Sequence, residues 1–315
     1  MINYILRRIL WMVPLLIGVS IISFGLSHLS PGKVGDLLLR QSGGVTSSES
    51  AQRFKQELGL DKPLPVQYLH WLCKAIRLEF GASFSTGASV RQEMLKRLPA
   101  TLKLTATAFL IMIGLSLLVG IPAGLRPGGL FDHISRLFST TAIALPNYWL
   151  GMLLLYLFGV HWKIFSITGD ASGGRVLLPA LTLAIGMSAV YSRLVRERFL
   201  EVFSQDYIRT AQAKGLALPA ILFRHAFKNA LMPLVSLWGM SLGYMLGGSL
   251  LIETIFSWPG VASFAVQAVL NRDFPVTQCY VVLMALVFSL SNLTVDVLQT
   301  IADPKLRRNM QAKKV

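Results

Sequence analysis

Side chains able to do chemistry are few and scattered. The five histidines, His28, His70, His133, His161 and His225, recur at no spacing that would gather metal ligands or set a base beside a nucleophile. Cys73 and Cys279 make no disulfide framework and are expected as unpaired thiols. No Gly-x-x-x-x-Gly-Lys-Ser/Thr run occurs, so any ATP hydrolysis falls to another polypeptide. Three polar features remain: a basic, glycine-punctuated stretch from Arg209 to Pro233, the Pro146-Asn147 step, and Asn292 with Asp296, which share one helix face at i, i+4.

The elements around them are apolar. The 315 residues are 53% hydrophobic and 14% charged, against about 25% charged in soluble domains. Six apolar runs lie near residues 9–29, 101–125, 134–160, 176–195, 230–252 and 277–301. Each is long enough to cross a hydrocarbon core of about 30 Å as a helix, and none alternates as a barrel strand would. This pattern predicts an all-α polytopic membrane protein with six transmembrane helices. The first run follows Arg7-Arg8 and lacks an Ala-x-Ala cleavage pattern, so it reads as an uncleaved span whose arginines anchor it inside.

The formal charge of +15 is explained by topology rather than by nucleic acid. Arg7, Arg8, Arg126, Arg136, the group from Arg193 to Lys228 and the tail from Lys305 to Lys314 fall on one side. The two short opposite loops hold only Lys163, Arg175 and Arg272. That asymmetry predicts both termini in the cytoplasm. Three regions follow: 1–30 with the first span, 31–99 as an outer, partly helical loop, and 100–315 as a five-helix core with a cytoplasmic helix near 204–222.

In the outer loop, Ser47 or Ser48 can cap a helix bearing Phe54 and Leu58 that ends at Gly59. A second helix has Tyr68, Leu69, Leu72, Ile76 and Phe80 on one stripe and Gly81 at its close. Pro146 predicts a kink in the third span, with Asn147 needing a partner at depth. Asp296 carries an insertion cost of about 2.5–3.5 kcal/mol and must be held by something. Gly239, Gly243, Gly247 and Gly248 offer small faces for close contact or sliding in the fifth span.

Between the fourth and fifth spans, Ser204 or Asp206 can cap a helix starting near Tyr207, and Gly215 supplies the left-handed residue that ends it. Pro219 suits the first turn of a second helix reaching about Met232. Tyr207, Ile208 and Ala211 form an apolar ridge with Arg209 and Lys214 beside it. The small Thr210, Ala211, Ala213 and Gly215 favour close approach by a partner protein over a lipid-surface anchor.

"YIRTAQAKG" followed by "HAFKNALMP" resembles the cytoplasmic signature of ATP-binding-cassette importer permeases: Glu-Ala-Ala, three residues, Gly, then an apolar stretch ending in Pro. Arg209 and Thr210 stand where that pattern has Glu and its first Ala. "MINYILRRIL", "LGLDKPLPVQY", "LEFGASF", "RLPATLKLTATA", "ALPNYWLGMLL", "ETIFSWPGV", "NRDFPVTQC" and "DPKLRR" extend the resemblance to the dipeptide, oligopeptide and nickel permease family over nearly the whole chain.

The resemblance implies a type I importer permease in a bacterial inner membrane. It implies pairing with a sister permease, two ABC ATPase subunits and an extracytoplasmic substrate-binding protein, with ATP and Mg bound by the ATPases and no cofactor or metal on this chain. Tyr207, Ile208, Arg209, Thr210, Ala211, Ala213, Lys214 and Gly215 would then couple to the ATPases. Pro146, Asn147, Gly243, Gly247, Asn292 and Asp296 are the candidates for the pathway or its gates. Several motifs look nickel-type, so chelated nickel or a related metal-metallophore complex is the expected cargo, with di- or oligopeptides as the alternative. A self-contained channel or secondary transporter is the reading from another class; the absence of a convincing repeat, and of intramembrane charge besides Asp296, speaks against it.

Overall fold

The computed structural model describes residues 2–29, 62–164 and 175–302. The expected helix between Ser47 and Gly59 and the basic tail lie outside these residues. The described helices are α1 (Ile2–Leu29), α2 (Leu64–Ile76), α3 (Val90–Leu125), α4 (Leu130–Ala144), α5 (Asn147–Leu154), α6 (Leu177–Phe203), α7 (Asp206–Ala213), α8 (Leu218–Ile221), α9 (Phe227–Ile255), α10 (Val261–Leu270) and α11 (Phe274–Ala302). Two of the joins are π-helical: Leu155–His161 prolongs α5, and Leu222–Ala226 fuses α8 to α9. The chain divides into two compact units, Met1–Pro99 with Gly260–Ser289 and Ala100–Pro259 with Leu290–Val315.

Among the described residues, five helices are long and apolar enough to cross a membrane. The third apolar run departs from the kinked span expected of it. It is a bent pair, α4 and α5 with its π extension, meeting at 104°. Pro146 forces Leu145 out of the helical region, to φ −82° and ψ 128°, and itself becomes the residue preceding α5. The chain therefore restarts its helix rather than bending it.

In the first unit α2 lies along α1. Tyr68 OH and Ser20 Oγ are 2.8 Å apart, and the Phe24 ring stands 5.5 Å from Tyr68 and 5.9 Å from Trp71. The packed face of α2 is thus Tyr68, Trp71, Leu72 and Ala75, whereas Leu69 and Ile76 are exposed. Leu69 and Ile76 lie within α2 but off this packed face, and Phe80 falls beyond the helix end, where Leu78 takes a left-handed φ of 61°. Asp273, at the turn before α11, is fully buried and accepts hydrogen bonds from Ser83 Oγ at 2.5 Å, Ser85 Oγ at 2.9 Å and Ser85 N at 3.1 Å, pinning the 83–89 loop. Cys73 is an exposed free thiol and Cys279 a buried one.

In the second unit α6 is the central helix. Of its most apolar stretch 61% is buried, against 33% for α3 and 44% for the continuous helix Leu218–Ile255, and α4, α5 and α9 all pack on it. Its inward side chains, from Leu178 through Tyr191 and Val195 to Phe199, share one core with Leu104, Met112, Leu234, Met245 and Ile252. The Tyr191 hydroxyl donates to the Leu237 carbonyl at 2.7 Å, fixing α6 to α9. Close approach to α3 is set by Gly120 and Gly124, a G-x-x-x-G pair. A Cβ on Gly120 would lie 2.6 Å from the Ser192 carbonyl oxygen, and one on Gly124 would lie 2.8 Å from Phe199 Cβ.

Candidate coupling site

Helix α7 leaves α6 after only Ser204 and Gln205. Neither Ser204 nor Asp206 caps it. Gln205 is the residue before the first turn and gives no side-chain cap, while Ser204 Oγ turns back to the Glu201 carbonyl at 2.7 Å. Its end is as the sequence indicates. Gly215 has φ +77°, and the bonds Gly215 N to Gln212 O (2.9 Å) and Leu216 N to Ala211 O (3.3 Å) close the last turn. Pro219 lies in the first turn of α8, from which the helix continues into α9.

The ridge expected to dock in a partner divides in two. Ile208 is 0% exposed and Ala211 5%, and both join the core of Phe199, Val202, Ile221, Ala226 and Ala230. The eight-residue helix repeats its turn so that 208 and 211 face the chain, and burial of these two is what holds α7 in place. The surface presented outward is Tyr207, Arg209, Thr210, Ala213, Lys214 and Gly215, continued by Leu216 and Leu218. Asn229 Nδ2 donates to the Tyr207 hydroxyl at 3.2 Å, a second tie between α7 and α9. The helix is thus rooted in its own subunit by one face and free on the other.

A seam joins α6 to the bent pair at four levels, the first two of them polar. Asp132 on the first turn of α4 is 1% exposed, and its carboxylate receives Arg196 Nε at 2.5 Å and Nη2 at 2.8 Å. Gly128 N donates to the same carboxylate at 2.9 Å. Further along, Ser139 Oγ and Ser192 Oγ are 3.1 Å apart. Asn147 Oδ1 fills the space where Gly186 would carry a Cβ, 2.9 Å away, and Gly151 abuts Thr182 in the same manner at 3.2 Å.

The remaining pathway candidates do not converge. Pro146 and Asn147 sit at the α4–α5 break, both exposed. Gly243 is buried, but Gly247 is open, with nothing within 4 Å of a Cβ placed on it. It belongs to an uncovered α9 stripe with Met240, Tyr244 and Leu251. Asn292 and Asp296 are partly buried on α11; between them Val295 fits against Gly239, whose Cβ would clash with Val295 Cγ1 and stand 2.8 Å from Cγ2.

Besides Asp273, two buried acids escaped the sequence reading. Asp132 is one. Glu253 is the other: fully buried near the end of α9, it accepts Thr101 Oγ1 at 2.6 Å, while Trp258 Nε1 donates to Ala100 O at 3.0 Å. Both are single acids at the ends of apolar runs, and each has its partner, Arg196 or Thr101, on another element. The signal was an isolated acid too close to an apolar run to be solvated.

Known proteins match this arrangement along its length. The family described as "Binding-protein-dependent transport system inner membrane component" matches residues 116–308, and its N-terminal counterpart matches residues 1–105. The "Glutathione transport system permease protein GsiC" of Escherichia coli (strain K12) is 35% identical over 307 residues, covering 98% of this chain and 99% of that protein. A "Probable peptide ABC transporter permease protein y4tP" of Sinorhizobium fredii (strain NBRC 101917 / NGR234) is 35% identical over 312 residues, covering 96% and 99%. Among solved structures, "Crystal structure of an amino acid ABC transporter with histidines" aligns with a TM-score of 0.50 at 18% identity, covering 69% of this chain and 94% of that one, a likeness of fold. This chain of apolar helical spans, matched over 98% of its length by a curated relative, belongs to the binding-protein-dependent transport system inner membrane component family, as a multi-pass ABC transporter permease of type I importer fold.

Proposed function

We propose that this chain is one membrane half of a peptide importer. It pairs with a sister permease, receives short peptides from an extracytoplasmic binding protein, and is driven by two ATPase subunits that grip the outward face of α7. The observation that carries the cargo assignment is 35% identity over 98% of the chain to a permease named for glutathione, a tripeptide, with a peptide permease at the same identity. The peptide alternative is therefore preferred to nickel: the motifs that suggested nickel belong to a family that peptide permeases share, and neither relative is named for a metal. The experiment is uptake by the complete transporter in membrane vesicles, offering a radiolabelled dipeptide, glutathione and nickel side by side. ATP-dependent accumulation of peptide but not nickel is expected; nickel alone would reverse the assignment.

On this reading both termini and α7 lie on the cytoplasmic side. Thr210 and Ala213 are exposed, so bulky substitutions there leave the core of Ile208 and Ala211 intact while blocking the partner's approach. Ala213→Trp is expected to preserve the amount of folded permease and to lower uptake about tenfold, the loss of one good interface contact. Full uptake in that variant would place the ATPase contact elsewhere.

The uncovered α9 stripe of Met240, Tyr244, Gly247 and Leu251 faces the route. Tyr244 is 73% exposed and lies eleven residues before Ile255, about 16 Å into the helix and so near mid-bilayer. A phenol there is better placed against water or a polar partner than against acyl chains. With Cys73 and Cys279 replaced, a cysteine at 247 is expected to react with a charged, membrane-impermeant thiol reagent, whereas one at Leu118, on the exposed side of α3, is not.

A further inference from the structure

We propose that Asp132 is a positioning residue for transport: its carboxylate locks the α3–α4 turn and the start of α4 to α6, so that a push on α7 moves the inner ends of three helices as one block. The inference rests on the reading of α7 as the ATPase contact and adds the path by which motion leaves it.

The geometry is specific. Arg196 meets the carboxylate with two nearly parallel bonds, 2.5 Å from Nε and 2.8 Å from Nη2. This fork fixes direction as well as distance, which a single lysine bond would not. A third donor, Gly128 N at 2.9 Å, comes from the turn joining α3 to α4, where Gly128 takes a left-handed φ of +76°. One buried side chain therefore gathers the turn, α4 and α6. Arg136 approaches the same carboxylate at 3.8 Å, but it is half-exposed and a weaker holder.

Arg196 is also where α3 leans on α6. A Cβ on Gly124 would lie 3.0 Å from the Arg196 carbonyl oxygen. The α3 crossing and the α4 ion pair thus meet at the same turn of α6, eight residues before Ser204 and about 12 Å along the helix from the start of the α7 linker. No loop intervenes between this junction and α7 except Ser204 and Gln205.

Packing alone would already hold α4 against α6 through Ser139 and Ser192. An ion pair adds a preferred angle. Replacing a buried pair by well-fitted neutral groups often leaves stability unchanged or higher, so stability does not account for its presence. Transmission without slack does: if α4 can pivot at its first turn, movement of α6 is absorbed there rather than delivered to the α4–α5 break at Pro146.

The test uses the complete transporter in proteoliposomes, with peptide uptake and ATP hydrolysis measured on the same preparation, beside the thermal midpoint of the purified complex. Asp132→Asn is nearly isosteric and keeps an acceptor for Gly128 N but loses the charge-assisted fork. Arg196→Lys keeps the charge and loses the second bond. Both are expected to hydrolyse ATP at close to the normal rate while peptide carried per ATP falls about tenfold or more, the equivalent of one charge-assisted hydrogen bond. The reversed pair Asp132→Arg with Arg196→Asp is expected to recover part of that ratio. A lowered thermal midpoint with an unchanged peptide-to-ATP ratio in both single variants overturns the inference and leaves a merely structural pair. If Ala213→Trp uncouples while these variants do not, only the transmission path fails; if Ala213→Trp also leaves coupling intact, the reading of α7 fails with it.

Discussion

Gly120→Leu is expected to prevent accumulation of folded permease, while Gly114→Leu, six residues earlier on the same helix, is expected to be tolerated. The contrast is set by what each side chain would meet. A Cβ at 120 lies 2.6 Å from the Ser192 carbonyl oxygen and 2.6 Å from Val195 Cβ, and neither atom can swing away, one being backbone and the other at the root of a β-branched side chain. A Cβ at 114 meets nothing within 4 Å. Even Gly120→Ala must push α3 off α6, for which overpacking costs of about 1–3 kcal/mol are usual. In a chain of this size that corresponds to a fall on the order of 5 °C in the thermal midpoint of detergent-purified protein. Gly114→Ala should shift it little, or upward, because alanine is the better helix former by about 1 kcal/mol. An equal response at both positions would mean that α3 and α6 do not cross at Gly120.

This crossing also shows what could be read from the chain and what could not. The spans were legible because an apolar run of 20 residues in a nearly uncharged stretch has few alternatives, and Gly215 because only glycine takes the left-handed turn at no cost. The sequence reading weighed the glycines of the fifth span, and there Gly239 does take a close neighbour, Val295. It passed over Gly120-Ile-Pro-Ala-Gly124, although the spacing is as regular, since nothing in one helix says which of its small faces another helix will choose. The bent third run is similar. Pro146 announced an interruption, but the 104° turn follows from α4 and α5 each being held separately to α6, at Asp132 and Ser139 on one side and at Asn147 and Gly151 on the other. Asp132 and Glu253 were missed because their partners, Arg196 and Thr101, are 64 and 152 residues away.

The composition of α7 is legible in its residues but its direction is not, and the second large effect follows from the direction the structure supplies. Ile208→Ala is expected to loosen the whole helix, because the removed atoms leave a cavity among Phe199, Val202, Ile221 and Ala226. Truncations of this kind cost about 2–5 kcal/mol when the site is fully enclosed, and Ile208 is 0% exposed. An eight-residue helix has little intrinsic stability of its own, so the loss falls on its attachment before it reaches the spans. Protease digestion of inside-out vesicles should then cut the variant at Arg209 or Lys214 at least tenfold faster than the parent protein, by the corresponding shift in local opening. Peptide uptake should fall while ATP hydrolysis persists, since a partner gripping a detached helix moves nothing behind it. Arg209→Gln lies one residue away on the exposed face; it should leave cutting at Lys214 unchanged and disturb only what the partner touches. If Ile208→Ala and Arg209→Gln behave alike in the protease assay, α7 is not rooted by Ile208, and the division of its surface into an anchored and a presented face is wrong.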